Sequence, residues 1–184
     1  MKKNPEQTEQ TRKNLKDAYW KLFITNKKPT VDAVCRVAGY NRCTFYRYYD
    51  RSSAILEEIE TELCSLIHTI AQTAMERNDP SLFLKEMVLL FEDKGDYICT
   101  PLGENGDPKF MNMVKEQLSP ILLKFFKLEQ YPHRDLLLTF FSNALSQTLS
   151  EWYKTGKKVK LEELTIFISS LIYGALSNIN EPPA

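Results

Sequence analysis

Between Val34 and Asp50 the chain gathers four tyrosines, three arginines and a phenylalanine around the single glycine Gly39. Guanidinium groups and phenol hydroxyls at this density suit two kinds of surface, the acceptor-rich grooves of DNA and the hot spot of a partner protein. Helical spacing settles how they are arranged. With Asn41 as a cap and a helix beginning at Arg42, a turn of about 100° per residue brings Phe45 and Tyr49 to one side. Cys43 and Arg47 centre the opposite side, with Thr44 nearby and Tyr46 and Tyr48 on the two flanks. That face is laid out to read a groove. The Arg47 guanidinium can pair with two guanine acceptors, the flanking hydroxyls can hold phosphates on either wall, and Arg42 adds cationic reach.

Such a face needs elements that hold it. Leu15, Ala18, Tyr19, Leu22 and Phe23 fall at i, i+3, i+4, i+7 and i+8, one stripe of a helix from about Thr11 to Asn26. Asn26 and Pro29 stop it, and Thr30 is placed to cap a short second helix whose apolar side carries Val34, Val37 and Ala38. Gly39 supplies the left-handed backbone of a tight turn into the third helix. Phe45 and Tyr49 then close a small core of Leu15, Phe23, Val34 and Val37. A helix, a short capped helix, a glycine turn and a basic third helix form a helix-turn-helix unit, and this order favours DNA over a protein partner.

Charge distribution agrees. Residues 1–51 carry 12 basic and 5 acidic side chains, a net of +7, and the remaining residues carry −7. A basic segment joined to an acidic body is the footprint of a phosphate-binding head on a non-binding remainder. The longest strongly apolar stretch, Leu136 to Phe141, is far short of the roughly 20 residues that cross a bilayer, and no apolar signal core follows the N-terminus. The expectation is a cytoplasmic protein with no membrane contact. Cysteines 35, 43, 64 and 99 form no Cys-x-x-Cys pair and only two histidines are present, so no metal site and no cofactor are expected. No phosphate-cradling glycine loop, no Gly-x-Ser-x-Gly and no His–carboxylate pair at helical spacing occurs, which leaves catalysis without a candidate residue.

The rest of the chain also reads as helix, giving an all-α protein. Met1–Gln10 reads as a disordered tail, residues 11–52 as the helix-turn-helix domain and residues 53–184 as a helical body. Ser53 begins a long helix to about Arg77, with Ile55, Leu56, Ile59, Leu63, Leu66, Ile67, Ile70 and Ala74 on its buried face. Leu82 to Phe91 forms another, Asp93 to Pro108 reads as a loop, and Phe110 to Leu128 is a helix interrupted at Ser119-Pro120. Met87, Phe91, Tyr97, Phe110, Met113, Phe125 and Phe126 are the candidates to line an apolar ligand pocket, because such side chains adapt to irregular shapes. Leu136 to Trp152 and Leu161 to Ala175 carry more apolar surface than one core requires. Leu136, Phe140, Phe141, Leu164, Phe167, Ile168, Leu171, Ile172 and Ala175 are therefore the candidates for a four-helix dimer interface.

The run from Thr30 through Ala38-Gly-Tyr-Asn-Arg-Cys-Thr-Phe-Tyr-Arg-Tyr-Tyr49, with Leu15-x-x-Ala-Tyr-x-x-Leu-Phe23 before it, resembles the DNA-binding domain of the TetR family of bacterial transcriptional regulators. The likeness covers residues 11–57. It implies a homodimer with a three-helix reading head and a larger bundle for dimerisation and sensing of a small-molecule effector of unknown identity. It also implies a near-palindromic double-stranded DNA operator contacted by Thr30, Arg42, Cys43, Thr44, Tyr46, Arg47 and Tyr48. Three positions depart from the family pattern. Cys43 stands where Gly or Ala is usual, Tyr48 where His is common, and Ser52 where a phosphate-binding Lys is usual, with Arg51 adjacent. Glu151-Trp-Tyr-Lys-Thr-Gly156 resembles the Trp-x-x-x-Gly element of a subgroup that includes regulators of dihydroxyacetone kinase operons. The reading is a dimeric DNA-binding regulator, a repressor by resemblance. The alternative is a TetR-like co-activator or adaptor that docks a protein and has a weakened DNA surface.

Overall fold

Helix propensity and apolar periodicity carry through to an all-α chain. A computed structural model describes residues 5–25, 28–102 and 108–177, and the described residues form eight α-helices without a strand. These are α1 (Pro5–Phe23), α2 (Val31–Ala38), α3 (Arg42–Phe45), α4 (Ser53–Arg77), α5 (Pro80–Leu102), α6 (Pro108–Phe126), α7 (Arg134–Lys154) and α8 (Leu161–Ser177). The chain divides into two compact units, Met1–Glu62 and Leu63–Ala184. This boundary falls inside α4, with the buried Ile55 and Ile59 on the head side of it.

In the first unit α1 packs on α2, and α2 on α3. Helix α1 starts at Pro5, six residues before the expected start at Thr11. Pro5 has the preset φ of a first helical residue and Glu6 complements the positive helix end. Gln10 Nε2 then donates to Asn14 Oδ1 at 2.8 Å and Thr11 Oγ1 to the Gln7 carbonyl at 2.7 Å. Residues 5–10 are therefore helix and not tail, while Met1–Asn4 lie outside the described residues. The core is Leu15, Ala18, Tyr19, Trp20, Val34, Cys35, Phe45, Tyr49, Ile55 and Ile59. Val37, expected inside, is 48% exposed and Phe23 is half-buried; Cys35 and Trp20 take their places.

The second unit is built from two apolar clusters. Cys99, Leu149 and Leu164 gather Phe91, Leu145, Trp152, Tyr153 and Ile168, joining α5, α7 and α8. Leu128, Phe141 and Leu176 gather Leu122, Leu123, Phe126, Leu137 and Ile172, joining the end of α6 to the start of α7 and the end of α8. The order of these contacts makes α7 and α8 antiparallel. Two expected interruptions are absent. Of the segment read as loop, residues 103–107 lie outside the described residues, and Asp93 to Leu102 continues α5, because Ile98 and Cys99 bury there. That burial outweighs the roughly 1 kcal/mol a helical glycine costs. Pro120 likewise sits inside α6 on an exposed site, with Ser119 Oγ donating to the Lys115 carbonyl at 2.7 Å and buried Ile121 holding the next turn.

Helix ends follow local chemistry. Asp79 Oδ1 accepts from the Ser81 and Leu82 amides at 2.9 and 3.2 Å, ahead of Pro80 at the first position of α5. At the other end of the unit Gly156 has φ 82°, and the Gly156 and Lys157 amides return to the Tyr153 and Trp152 carbonyls. This reversal lets Trp152 Nε1 donate to the Val159 carbonyl at 2.7 Å and Lys157 Nζ reach Asp96 on α5 at 3.2 Å. The Trp-x-x-x-Gly element is a helix terminator that fastens α7 to α5.

Candidate nucleic-acid interface

Residues 30–49 are arranged by caps and a single positive-φ glycine. Thr30 is extended (φ −82°, ψ 157°) and its hydroxyl accepts from the Ala33 amide at 3.3 Å, starting α2. Gly39 has φ 72° and ψ 25°, and a Cβ added there would meet no atom within 4 Å. The requirement for glycine is thus purely one of backbone conformation, costing a β-carbon residue about 1 kcal/mol or more. Asn41 Oδ1 accepts from the Thr44 amide at 2.8 Å and opens α3. Asn14 Nδ2 donates to the Tyr40 hydroxyl at 3.0 Å, pinning the turn to α1.

The third helix is shorter than its pattern suggests. Regular α-helix ends at Phe45, and the Arg47 and Tyr48 amides bond to the Thr44 and Phe45 carbonyls in a tighter turn. The Tyr49 amide still reaches the Phe45 carbonyl at 3.1 Å, so both rings stay on the inner side with centroids 5.8 Å apart. Phe45 is 0% exposed. Burial, and next the Glu58 charge, push the Tyr49 phenol well above its usual range, which keeps it neutral. Turned the other way, Cys43 and Arg47 are exposed and Tyr46 is 55% exposed, while Thr44 and Tyr48 are half-buried. Six of the seven residues expected at DNA therefore share one segment, and Thr30 lies at the start of the preceding helix.

Two of the cations in this region are already paired. Arg42 grips Asp32 on α2 through Nε and Nη2. Arg51, the candidate to replace the missing lysine charge at Ser52, bonds Asp50 at 2.7 Å and both oxygens of Glu57. Its charge is spent within the chain. Arg47 has no ion-pair partner among the described residues. Neither Asp32 nor Glu57 was singled out by sequence; for Asp32 the only signal was an acid in the first turn of α2 and a base in the first turn of α3.

Behind the face, α1 is tied to α4. Glu58 accepts from Arg12 and, at 2.7 Å, from Lys16, and Lys16 also reaches Glu62. The Arg12 guanidinium lies 5.3 Å from the centre of the Tyr49 ring. Partial burial pushes the Glu58 carboxyl up, but the Lys16 and Arg12 hydrogen bonds outweigh it and hold the carboxyl below its usual 4.5. A depressed carboxylate adds stability above the unfolded-state value and loses it as pH falls through the folded one. Glu58→Gln should therefore cost up to about 1 kcal/mol at pH 7, and the two proteins should converge once the pH falls below the depressed Glu58 value of the folded state. Urea melts at several pH values check this; a constant offset between the proteins would contradict it.

In the second unit the residues expected around a ligand have different surroundings. Phe110 is fully buried, Phe91 belongs to the cluster of Cys99 and Phe126 to that of Leu128. Met87, Tyr97, Met113 and Phe125 are half-buried. An open groove of about 680 Å³ lies elsewhere, lined by Gln147, Thr148, Glu151, Trp152, Thr155, Lys158, Val159, Leu164 and Phe167. None of the seven expected residues borders it.

The expected dimer residues separate into two sets. Phe141 and Leu164 sit inside the chain's own clusters and are removed from that face, and Ile168 and Ile172 pack against those clusters. Leu136 (72%), Phe140 (66%), Phe167, Leu171 and Ala175 are exposed, joined by Ile166 and Tyr173, which the sequence pattern did not single out. The described residues contain no cluster able to hold a metal ion, and none of their helices is long and apolar enough to cross a membrane.

A family model for the C-terminal region of TetR-type transcriptional regulators matches residues 78–174, just over half of the chain. A crystal structure of a TetR transcriptional regulator from Streptococcus agalactiae 2603V superposes with a TM-score of 0.66 at 24% identity, covering 91% of this chain and 96% of that one. No curated protein matches.

Proposed function

The chain belongs to the TetR family of transcriptional regulators, and on that premise we propose that it is a homodimeric, sequence-specific DNA-binding repressor of the cytoplasm. One observation carries the DNA reading. Phe45 and Tyr49 anchor a capped segment inward while Arg47, Tyr46 and Cys43 stand exposed together on its outer side. Thr30, Arg42, Cys43, Thr44, Tyr46, Arg47 and Tyr48 are the contacts to a near-palindromic operator, one set from each subunit. The exposed apolar side chains of α7 and α8 join the subunits. Residues 53–184 sense a small molecule whose binding favours a subunit arrangement with the heads wrongly spaced for the operator. Helix α4, which runs through the boundary at Glu62, transmits the change.

A second reading has its own support. With Arg42 and Arg51 paired internally and serine at position 52, the phosphate-facing charge is reduced, as suits a co-activator or adaptor that docks a protein. Salt separates the two. A DNA reader that neutralises six or more phosphates should lose about 10³-fold in affinity for duplex DNA between 50 and 200 mM salt. The measurement is fluorescence anisotropy on duplexes selected from a random library by the full-length protein. Failure to select any duplex, or a flat salt response, would favour the adaptor.

A further inference from the structure

Asp32 and Arg42 lie ten residues apart in sequence and meet across the turn. Arg42 Nε donates to one Asp32 oxygen and Nη2 to the other, a fork-on-fork pair of fixed geometry. Both side chains stay open to solvent, at 63% and 50% exposure. A pair so exposed adds little to stability, so packing is a poor account of it. The Arg42 hydrogen bond holds the Asp32 carboxyl below its usual range, which keeps the pair ionised at neutral pH.

The donors left over define the use. Of the five guanidinium N–H bonds, Nε–H and one Nη2–H are taken by Asp32; both Nη1–H bonds and the second Nη2–H remain. These form the end-on edge of the guanidinium, the edge that fits guanine O6 and N7. For a phosphate contact Asp32 would be a handicap, because phosphate attraction follows net charge and Asp32 cancels it. For a base contact orientation matters more, and a clamped guanidinium has less rotamer freedom to lose. We propose that Asp32 is a positioning residue for base readout, clamping Arg42 so that its Nη1/Nη2 edge meets a guanine and giving up non-specific phosphate attraction in exchange. The inference rests on the DNA-binding reading above.

The test uses full-length protein, a duplex it selects from a random library and a scrambled duplex of the same length. Asp32→Ala frees one cation per head. It should tighten binding to the scrambled duplex, steepen its salt slope by about 2 per dimer, and lower the selected-to-scrambled affinity ratio about 10-fold or more. Repeated selection with Asp32→Ala and with Arg42→Ala should relax preference at the same base pair, and adding Asp32→Ala to Arg42→Ala should lower the ratio no further. If Asp32→Ala changes both affinities by the same factor, in either direction, Asp32 is only a charge damper or a fold residue and the inference is overturned alone. If the wild-type protein selects no duplex, the DNA-binding reading falls and takes this inference with it.

Discussion

Arg47→Ala is expected to lower operator affinity by between about 30-fold and 10⁴-fold while leaving the fold untouched. A guanidinium paired to a guanine edge is worth about 1–3 kcal/mol of discrimination, and a two-fold dimer loses the contact twice, hence about 2–6 kcal/mol. Nothing in the head depends on this side chain for stability. Arg47 is exposed, makes no ion pair among the described residues, and follows the Phe45 anchor in a turn held by backbone hydrogen bonds. Thermal melting should accordingly move by no more than about 0.5 kcal/mol in stability terms. Arg47→Lys sharpens the test, because lysine keeps the charge but not the planar fork. It should retain affinity for scrambled DNA and lose preference for the selected sequence. Undiminished operator binding by Arg47→Ala, with the protein folded, would remove this face as the reader.

What the sequence made legible, and what it hid, divides along a physical line. Features fixed by neighbouring residues were readable: Thr30 and Asn41 cap their helices, Gly39 takes the left-handed turn, and the i, i+4 pair Phe45 and Tyr49 faces inward. Features fixed by distant residues were not. Gly95 and Pro120 are strong local breakers, yet burial of Ile98, Cys99 and Ile121 carries α5 and α6 through them. Val37 and Cys35 lie on opposite edges of the apolar arc of α2, either side of Val34; Cys35 is buried and Val37 is left in solvent, a choice set by packing that periodicity does not encode. The same limit hid the site's electrostatics. Arg42 and Arg51 read as available cations because Asp32 and Glu57 are brought to them only by the fold. On α7 and α8 the pattern found too many apolar positions but could not divide them. Only the structure assigns Phe141 and Leu164 to the core and leaves Phe140 and Leu171 outside.

That division makes the second large effect predictable. Leu171 is 56% exposed at mid-α8, in line with exposed Phe167 one turn earlier and Ala175 one turn later. In an isolated subunit Leu171→Glu places a carboxylate in water and should change stability by no more than about 0.5 kcal/mol. In a two-fold dimer the same substitution appears on both sides of one interface, where a desolvated carboxylate without a partner costs several kcal/mol per copy. The dimer should therefore dissociate at micromolar protein, which sedimentation equilibrium would detect. DNA binding should follow: a single head holds one half-site, and losing the linked second head removes about 10²- to 10⁴-fold of avidity. Leu164→Ala is the contrast. Its side chain belongs to the cluster of Cys99 and Leu149, so truncation should destabilise the subunit by about 2–5 kcal/mol through the cavity it leaves. The two variants thus separate association from folding. A Leu171→Glu protein that remains dimeric and holds its operator would place the subunit contact somewhere other than this face of α8.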